Sequence, residues 1–173
     1  MDKVTIKMEV DRKDLKDLFE AFKHLDKDTN EALRVEVQHL SSFMAGAIKT
    51  AAEYAPMPSQ ARLIAETVRA NKDRVPNVTI GGSKYLKVSR RTKRLNQKPR
   101  AGELLFGSEF GAGKASGLVP NATSDRQRRF PYWSGKYGWG SRGYWIFPTL
   151  RRLQPKITHD YHAIIDRYIR RIW

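Results

Sequence analysis

The 173-residue sequence predicts an α+β fold, with a long central helix and a C-terminal helix packed on a small, mostly antiparallel sheet and with two long loop or arm insertions. Three observations predict it. Apolar residues alternate at period two near the N-terminus, recur at helical spacing over residues 33–54 and again over 157–172, and lose both periods in two long stretches between. The length suits a single domain spanning residues 1–173.

Val4, Ile6, Met8 and Val10 alternate with Thr5, Lys7 and Glu9, as in a half-buried strand. Asp11 can accept from the free N–H groups of a following helix, whose apolar stripe is Leu15, Leu18, Phe19 and Phe22. Asp28-Thr29-Asn30-Glu31 has the pattern of a capping box and opens the longest periodic segment: Leu33, Val37, Leu40, Met44, Ala47, Ala51 and Tyr54, spaced alternately by four and three. A coiled-coil seam between subunits would use the same spacing; a long helix crossing a sheet is the plainer reading. Ala45, Gly46, Ala47, Ala51 and Ala52 permit close approach of another backbone in either case. Pro56 and Pro58 end this helix at Ala55.

A shorter helix is expected from Gln60 to about Lys72, carrying Leu63, Ile64, Thr67 and Val68. Strand-like pieces come next: Val78-Thr79-Ile80 before Gly81-Gly82, then Tyr85-Leu86-Lys87-Val88, then Glu103 to Phe106 before Gly107. Helical period returns with Ile157, Tyr161, Ile164, Ile165, Tyr168 and Ile172, while Pro148 and Pro155 predict a broken or two-part entry into this last helix.

The two insertions are a basic arm at about 84–100 and a Gly- and aromatic-rich arm at about 111–145. The first carries Lys84, Lys87, Arg90, Arg91, Lys93, Arg94, Lys98 and Arg100 with no acid among them. Loops of such length are uncommon in a compact domain unless they bind something.

Charge follows the same division. The chain has 33 Lys plus Arg against 18 Asp plus Glu, a formal +15. Residues 1–73 hold 12 basic and 13 acidic residues, whereas residues 74–173 hold 21 and 5. Asymmetry of this kind marks a surface that meets a polyanion or an acidic protein. The absence of cysteine excludes disulfides, thiolate catalysis and Cys-ligated metal. No apolar run approaches the ~20 residues that span a bilayer, and the first residues have no signal-peptide core, so a soluble compartment and no membrane partner are expected.

The chemical motifs fall short of catalysis. Gly111-Ala112-Gly113-Lys114 glances at a phosphate loop, but Ser108 stands where that loop needs Gly and Ala115 where it needs Ser or Thr. His159 and His162 could share one helix face near Asp160 or Asp166, yet they lack a third ligand, and His24 and His39 are isolated. Glu103, Glu109, Asp125, Asp160 and Asp166 are too scattered for the paired carboxylates of a metal-dependent nuclease. No Gly-x-Ser-x-Gly elbow occurs. The chain reads as a non-enzyme with no metal and no cofactor.

The densest local feature is aromatic: Phe130, Tyr132, Trp133, Tyr137, Trp139, Tyr144, Trp145 and Phe147, beside Arg126, Arg128, Arg129 and Arg142. Such residues stack exposed bases. They are also the types enriched at protein–protein hot spots, and a docking arm built on Arg128, Arg129, Phe130, Tyr132, Trp133, Tyr137, Trp139, Tyr144 and Trp145 is the preferred reading.

Several fragments in this order resemble one family. They are a long helix ending in Ala55-Pro56, a following Arg62-Leu63, a strand running into Ile80-Gly81-Gly82-Ser83, then Leu104-Leu105-Phe106-Gly107-Ser108-Glu109-Phe110-Gly111, and Phe147-Pro148-Thr149-Leu150-Arg151-Arg152 before a C-terminal helix. Together the chain resembles the head-to-tail joining, or tail-completion, proteins of long-tailed, siphovirus-type bacteriophages, in which Glu-Phe-Gly is the most recognisable fragment. Ser59-Gln60-Ala61 departs from the family's usual Thr-Gly after the proline, and the basic and aromatic arms look like insertions.

The resemblance implies a structural subunit of a six-fold ring in the phage neck, assembled in the host cytoplasm. Its partners would be copies of itself, head-side connector or stopper proteins, and the tail terminator or tail tube protein, with double-stranded DNA in the channel. The alternative is a basic nucleic-acid-binding protein that contacts phosphate through residues 84–100.

Overall fold

The computed structural model describes residues 5–7, 22–23, 25–85, 100–111, 130–131 and 143–170. Helix α1 runs Lys27–Glu53. It is capped by Asp26 rather than Asp28: the Asp26 carboxylate accepts from the Thr29 N–H at 2.8 Å and from the Thr29 hydroxyl at 2.7 Å. Its buried face is Leu33, Val37, Ser41, Met44, Ala45, Ile48 and Ala52. Of the expected stripe, Leu33, Val37 and Met44 are buried, Leu40, Ala47 and Ala51 half-buried, and Tyr54 is 86% exposed. A straight α-helix turns ~20° per heptad against a strict seven-residue repeat, so the 3.6-residue face wins over the 3.5-residue one.

The chain turns at Pro56 into helix α2, Pro58–Ala65, with Pro58 in its first turn, where the missing N–H costs nothing. This helix is shorter than expected. The Thr67 hydroxyl donates to the Ile64 carbonyl at 2.6 Å and accepts from the Gly81 N–H at 2.9 Å, which ends the helix and ties it to the sheet. Strands β1 (Thr5–Lys7), β2 (Arg69–Ala70) and β3 (Val78–Gly81) form an antiparallel sheet in the order β1-β3-β2, with Ile6 opposite Ile80 and Arg69 opposite Thr79. The later residues of the expected N-terminal strand lie outside the described residues. So does most of the helix after it, of which Phe22 and Lys23 are helical.

The segment expected as a strand at Glu103 to Phe106 lies inside helix α3, Ala101–Phe110. A three-residue apolar run, Leu104-Leu105-Phe106, carries no period of its own, and Glu103 decides the matter by accepting from the Arg100 N–H at 3.0 Å. Tyr85, expected in a strand, makes only an isolated bridge with Arg100, and residues 86–88 lie outside the described set.

Helix α4, Ile146–Ile169, is continuous through Pro155 rather than broken. Pro148 falls in the first turn, and Pro155 sits on the exposed side, so only one backbone bond is lost. Ile157, Tyr161, Ile164, Ile165 and Tyr168 are buried as the spacing predicts; Ile172 lies outside the described residues.

The architecture is α+β, with α1 and α4 packed along each other and α1 also covering β2 and β3. One core cluster joins Met44, Ile48, Ile64, Ile80, Leu105 and Ile146. A second joins Phe22, Leu33, Val37, Tyr161, Ile165 and Tyr168 at the other end of the helix pair. Polar pins cross this end: the Tyr161 hydroxyl donates to the Arg74 carbonyl at 3.0 Å, and the Tyr168 hydroxyl meets the Glu36 carboxylate at 3.1 Å.

Candidate interaction surface

Helix α3 positions the roots of both insertions. Its ten residues rise about 15 Å, with the basic arm returning at its N-terminal end and the aromatic arm leaving at its C-terminal end. The first root is closed by the Tyr85–Arg100 bridge, by a hydrogen bond from the Arg100 guanidinium to the Tyr85 hydroxyl at 3.2 Å, and by the guanidinium lying 5.3 Å from the Tyr85 ring centre. The Ala101 N–H also reaches the Lys84 carbonyl, and the Gly102 N–H the Gly82 carbonyl, both at 3.0 Å.

Glu109 closes the second root. Its side chain is fully buried and accepts from the N–H groups of Trp145 (3.2 Å), Ile146 (2.8 Å) and Phe147 (2.9 Å), the free donors at the start of α4. Its own carbonyl accepts from the Tyr144 N–H at 2.8 Å. Burial pushes the carboxyl above its ordinary range, while the N–H groups of Ile146, Phe147, Trp145 and Tyr144 pull it back. Gly143, at φ 74°, lies against this carboxylate, where a Cβ would overlap it.

The fragment Glu109-Phe110-Gly111 thereby has a structural account: the carboxylate caps α4, the Phe110 ring packs on Phe147 at 5.5 Å, and Gly111, at φ 79°, leads the chain out of α3. Its three residues hold the joint between two helices. No sequence pattern announced this cap, because donors and acceptor are 36 to 38 residues apart.

The arm residues divide. Lys84 is exposed and Arg100 half-buried at the first root. Lys87, Arg90, Arg91, Lys93, Arg94 and Lys98, and likewise Arg128, Arg129, Tyr132, Trp133, Tyr137 and Trp139, lie outside the described residues. Two docking aromatics are corrected. Trp145 is 2% exposed, donating through its indole N–H to the Ser108 hydroxyl at 3.3 Å, and Phe130 is 5% exposed, its ring lying where a Cβ on Gly107 would stand. Both rings are captured by α3, which sequence spacing does not reveal. Tyr144 is half-buried.

Two features that the sequence did not single out face solvent here. Phe106, 53% exposed, begins a ladder of rings that continues to Phe110 at 5.9 Å and on to Phe147, with the Arg151 guanidinium 5.8 Å from the Phe147 ring centre. On the adjoining side of α4, Tyr54, Tyr144, Trp145, Pro148 and Arg152 line a groove of about 310 Å³ against the end of α1. Among the described residues, no group of three or more His, Asp or Glu side chains could hold a metal ion.

Comparison of the chain with family models, with curated proteins and with solved structures finds no match in any of the three.

Proposed function

We propose that the chain is a structural virion protein of the phage neck, forming a ring that joins the DNA-filled head connector to the tail tube. The observation that carries this reading is the meeting of the fragments named above around α3. Gly82 touches the start of that helix, Glu109-Phe110-Gly111 forms its end, and Phe147-Pro148 is held by Glu109. A rigid scaffold rooting two long insertions suits a ring subunit, which must meet neighbours laterally and other proteins axially.

The test is joining of heads to tails in extracts that lack this chain. Added wild-type protein is expected to restore joined particles by electron microscopy. Trp133→Ala, or Arg90, Arg91, Lys93 and Arg94 changed together to Ser, is expected to stay soluble and folded yet fail to join. Normal joining by both variants would remove the insertions from assembly.

A second reading, phosphate contact through residues 84–100, is favoured by eight basic residues without an acid in that stretch. Affinity for duplex DNA would then fall steeply with salt, whereas an aromatic protein interface weakens little.

A further inference from the structure

We propose that the groove between the end of α1 and the first turns of α4 docks a protein segment that presents one large apolar side chain flanked by acidic residues. The inference does not depend on the neck reading. At about 310 Å³ the groove sits at the bottom of the range of small-molecule sites, ~300–1,000 Å³, a size for one side chain rather than a cofactor. Exposed Tyr54, half-buried Tyr144 and Pro148 wall it over the buried Trp145, with Arg152 at the rim, and Tyr and Arg are residue types that anchor protein interfaces. Tyr54 is the most exposed large hydrophobic side chain among the described residues, at 86%, on the C-cap of the longest helix, where neither helix propensity nor core packing calls for an aromatic ring.

Charge selects the occupant. No Asp or Glu lines the groove, and Arg152 is exposed without a hydrogen-bond or ion-pair partner among the described residues. The neighbouring acid on α1, Glu53, is paired with Arg62. Arg151, the neighbouring cation on α4, lies over the Phe147 ring and is not part of the groove lining, so Arg152 is the cation at its edge. An acidic segment gains from Arg152 while its apolar residue fills the groove. A second copy would bring the same cationic edge and a formal +15 against it. Nucleic acid would need phosphate contacts along a track, where the groove lining offers one cation.

The experiment measures anisotropy of a labelled decapeptide, a central Trp flanked by Asp and Glu, titrated with the full chain at physiological salt. Saturable binding is expected, weakened at least ten-fold by Tyr54→Ala and by Arg152→Glu. Arg152→Lys should keep most of it. The same peptide with Gly for Trp, or with Lys for its acids, should bind at least ten-fold more weakly. Both altered positions are exposed, and circular dichroism checks that the variants fold.

Absence of binding, or binding indifferent to both Tyr54→Ala and Arg152→Glu, overturns the proposal as nonspecific attraction to a basic chain. Displacement of the peptide by a thymidine oligonucleotide whose own binding is lost in Arg152→Glu overturns it in favour of nucleic acid. Sedimentation showing self-association that Tyr54→Ala abolishes overturns it in favour of a second copy.

Discussion

Glu109 is held by the backbone N–H groups at the start of α4. Removing it leaves buried donors unpaired, so Glu109→Ala is expected to cost about 2–3 kcal/mol in denaturant unfolding. Its pH signature opposes that of Asp26. Because burial raises the Glu109 carboxyl, the folded chain keeps a proton that the unfolded chain has released, and stability falls as pH rises from the ordinary carboxyl range to the raised value. Asp26 is lowered, first by the Thr29 N–H and then by the Thr29 hydroxyl, so its contribution is present above the ordinary range and lost as pH falls through its depressed value. Melting temperature followed from about pH 3 to about pH 8 should therefore lose its decline above the ordinary carboxyl range in Glu109→Gln and its acid-side loss in Asp26→Ala. Gly143→Ala should exceed the ~1–2 kcal/mol cost of left-handed backbone alone, since the new methyl meets the Glu109 carboxylate. Trp145→Ala, in the core, should cost about 3–5 kcal/mol. A Trp145→Ala chain that melts like wild type would place that ring outside the core after all.

At the level of elements, α1 and α4 were legible because long periodic runs outvote local ambiguity: five of the six apolar positions named for α4 are described, and all five are buried. The finer assignments failed for physical reasons. The alternate four-and-three spacing of Leu33 to Tyr54 named one apolar stripe for a helix crossing the sheet, but a straight helix carries Leu40, Ala47 and Ala51 to the margin of the buried face and Tyr54 off it. Leu104-Leu105-Phe106 read as a strand, because the cap that makes it helical depends on one side chain, Glu103. The candidate surface was least legible: Tyr54, Pro148 and Arg152 come from distant segments, and Trp145 looked like an arm residue until Ser108 and Glu109 were seen to hold it. Two helix interiors invite tests. A Cβ on Gly46 would meet nothing within 4 Å, so Gly46→Ala should stabilise α1 by up to ~1 kcal/mol, read as a higher melting temperature. Pro155→Ala should restore one backbone bond in exposed α4 and also raise the melting temperature.

Across the whole molecule, charge is unevenly divided between the described residues and the rest of the chain. The described residues carry 16 Lys plus Arg and 11 Asp plus Glu, so most of the formal +15 belongs to the segments outside them. Surface pairs such as Arg167 with Glu36 and Lys156 with Asp160 neutralise part of what remains. Replacing residues 86–99 by a short Gly-Ser turn is accordingly expected to leave the melting temperature within a few degrees, because the Tyr85–Arg100 root is closed by its own contacts and loop-closure entropy changes only slowly with length, ~0.6 kcal/mol per doubling. A large drop would mean that the basic segment contributes to the core. The two closed roots also bear on how such a chain can change over generations. With Tyr85 fastened to Arg100, and Gly143 fitted to Glu109, what lies between each pair can lengthen, shorten or alter its chemistry without renegotiating the fold, provided that Phe130 still finds Gly107. Selection for new partners could then act on the insertions while the helices and sheet stay as they are.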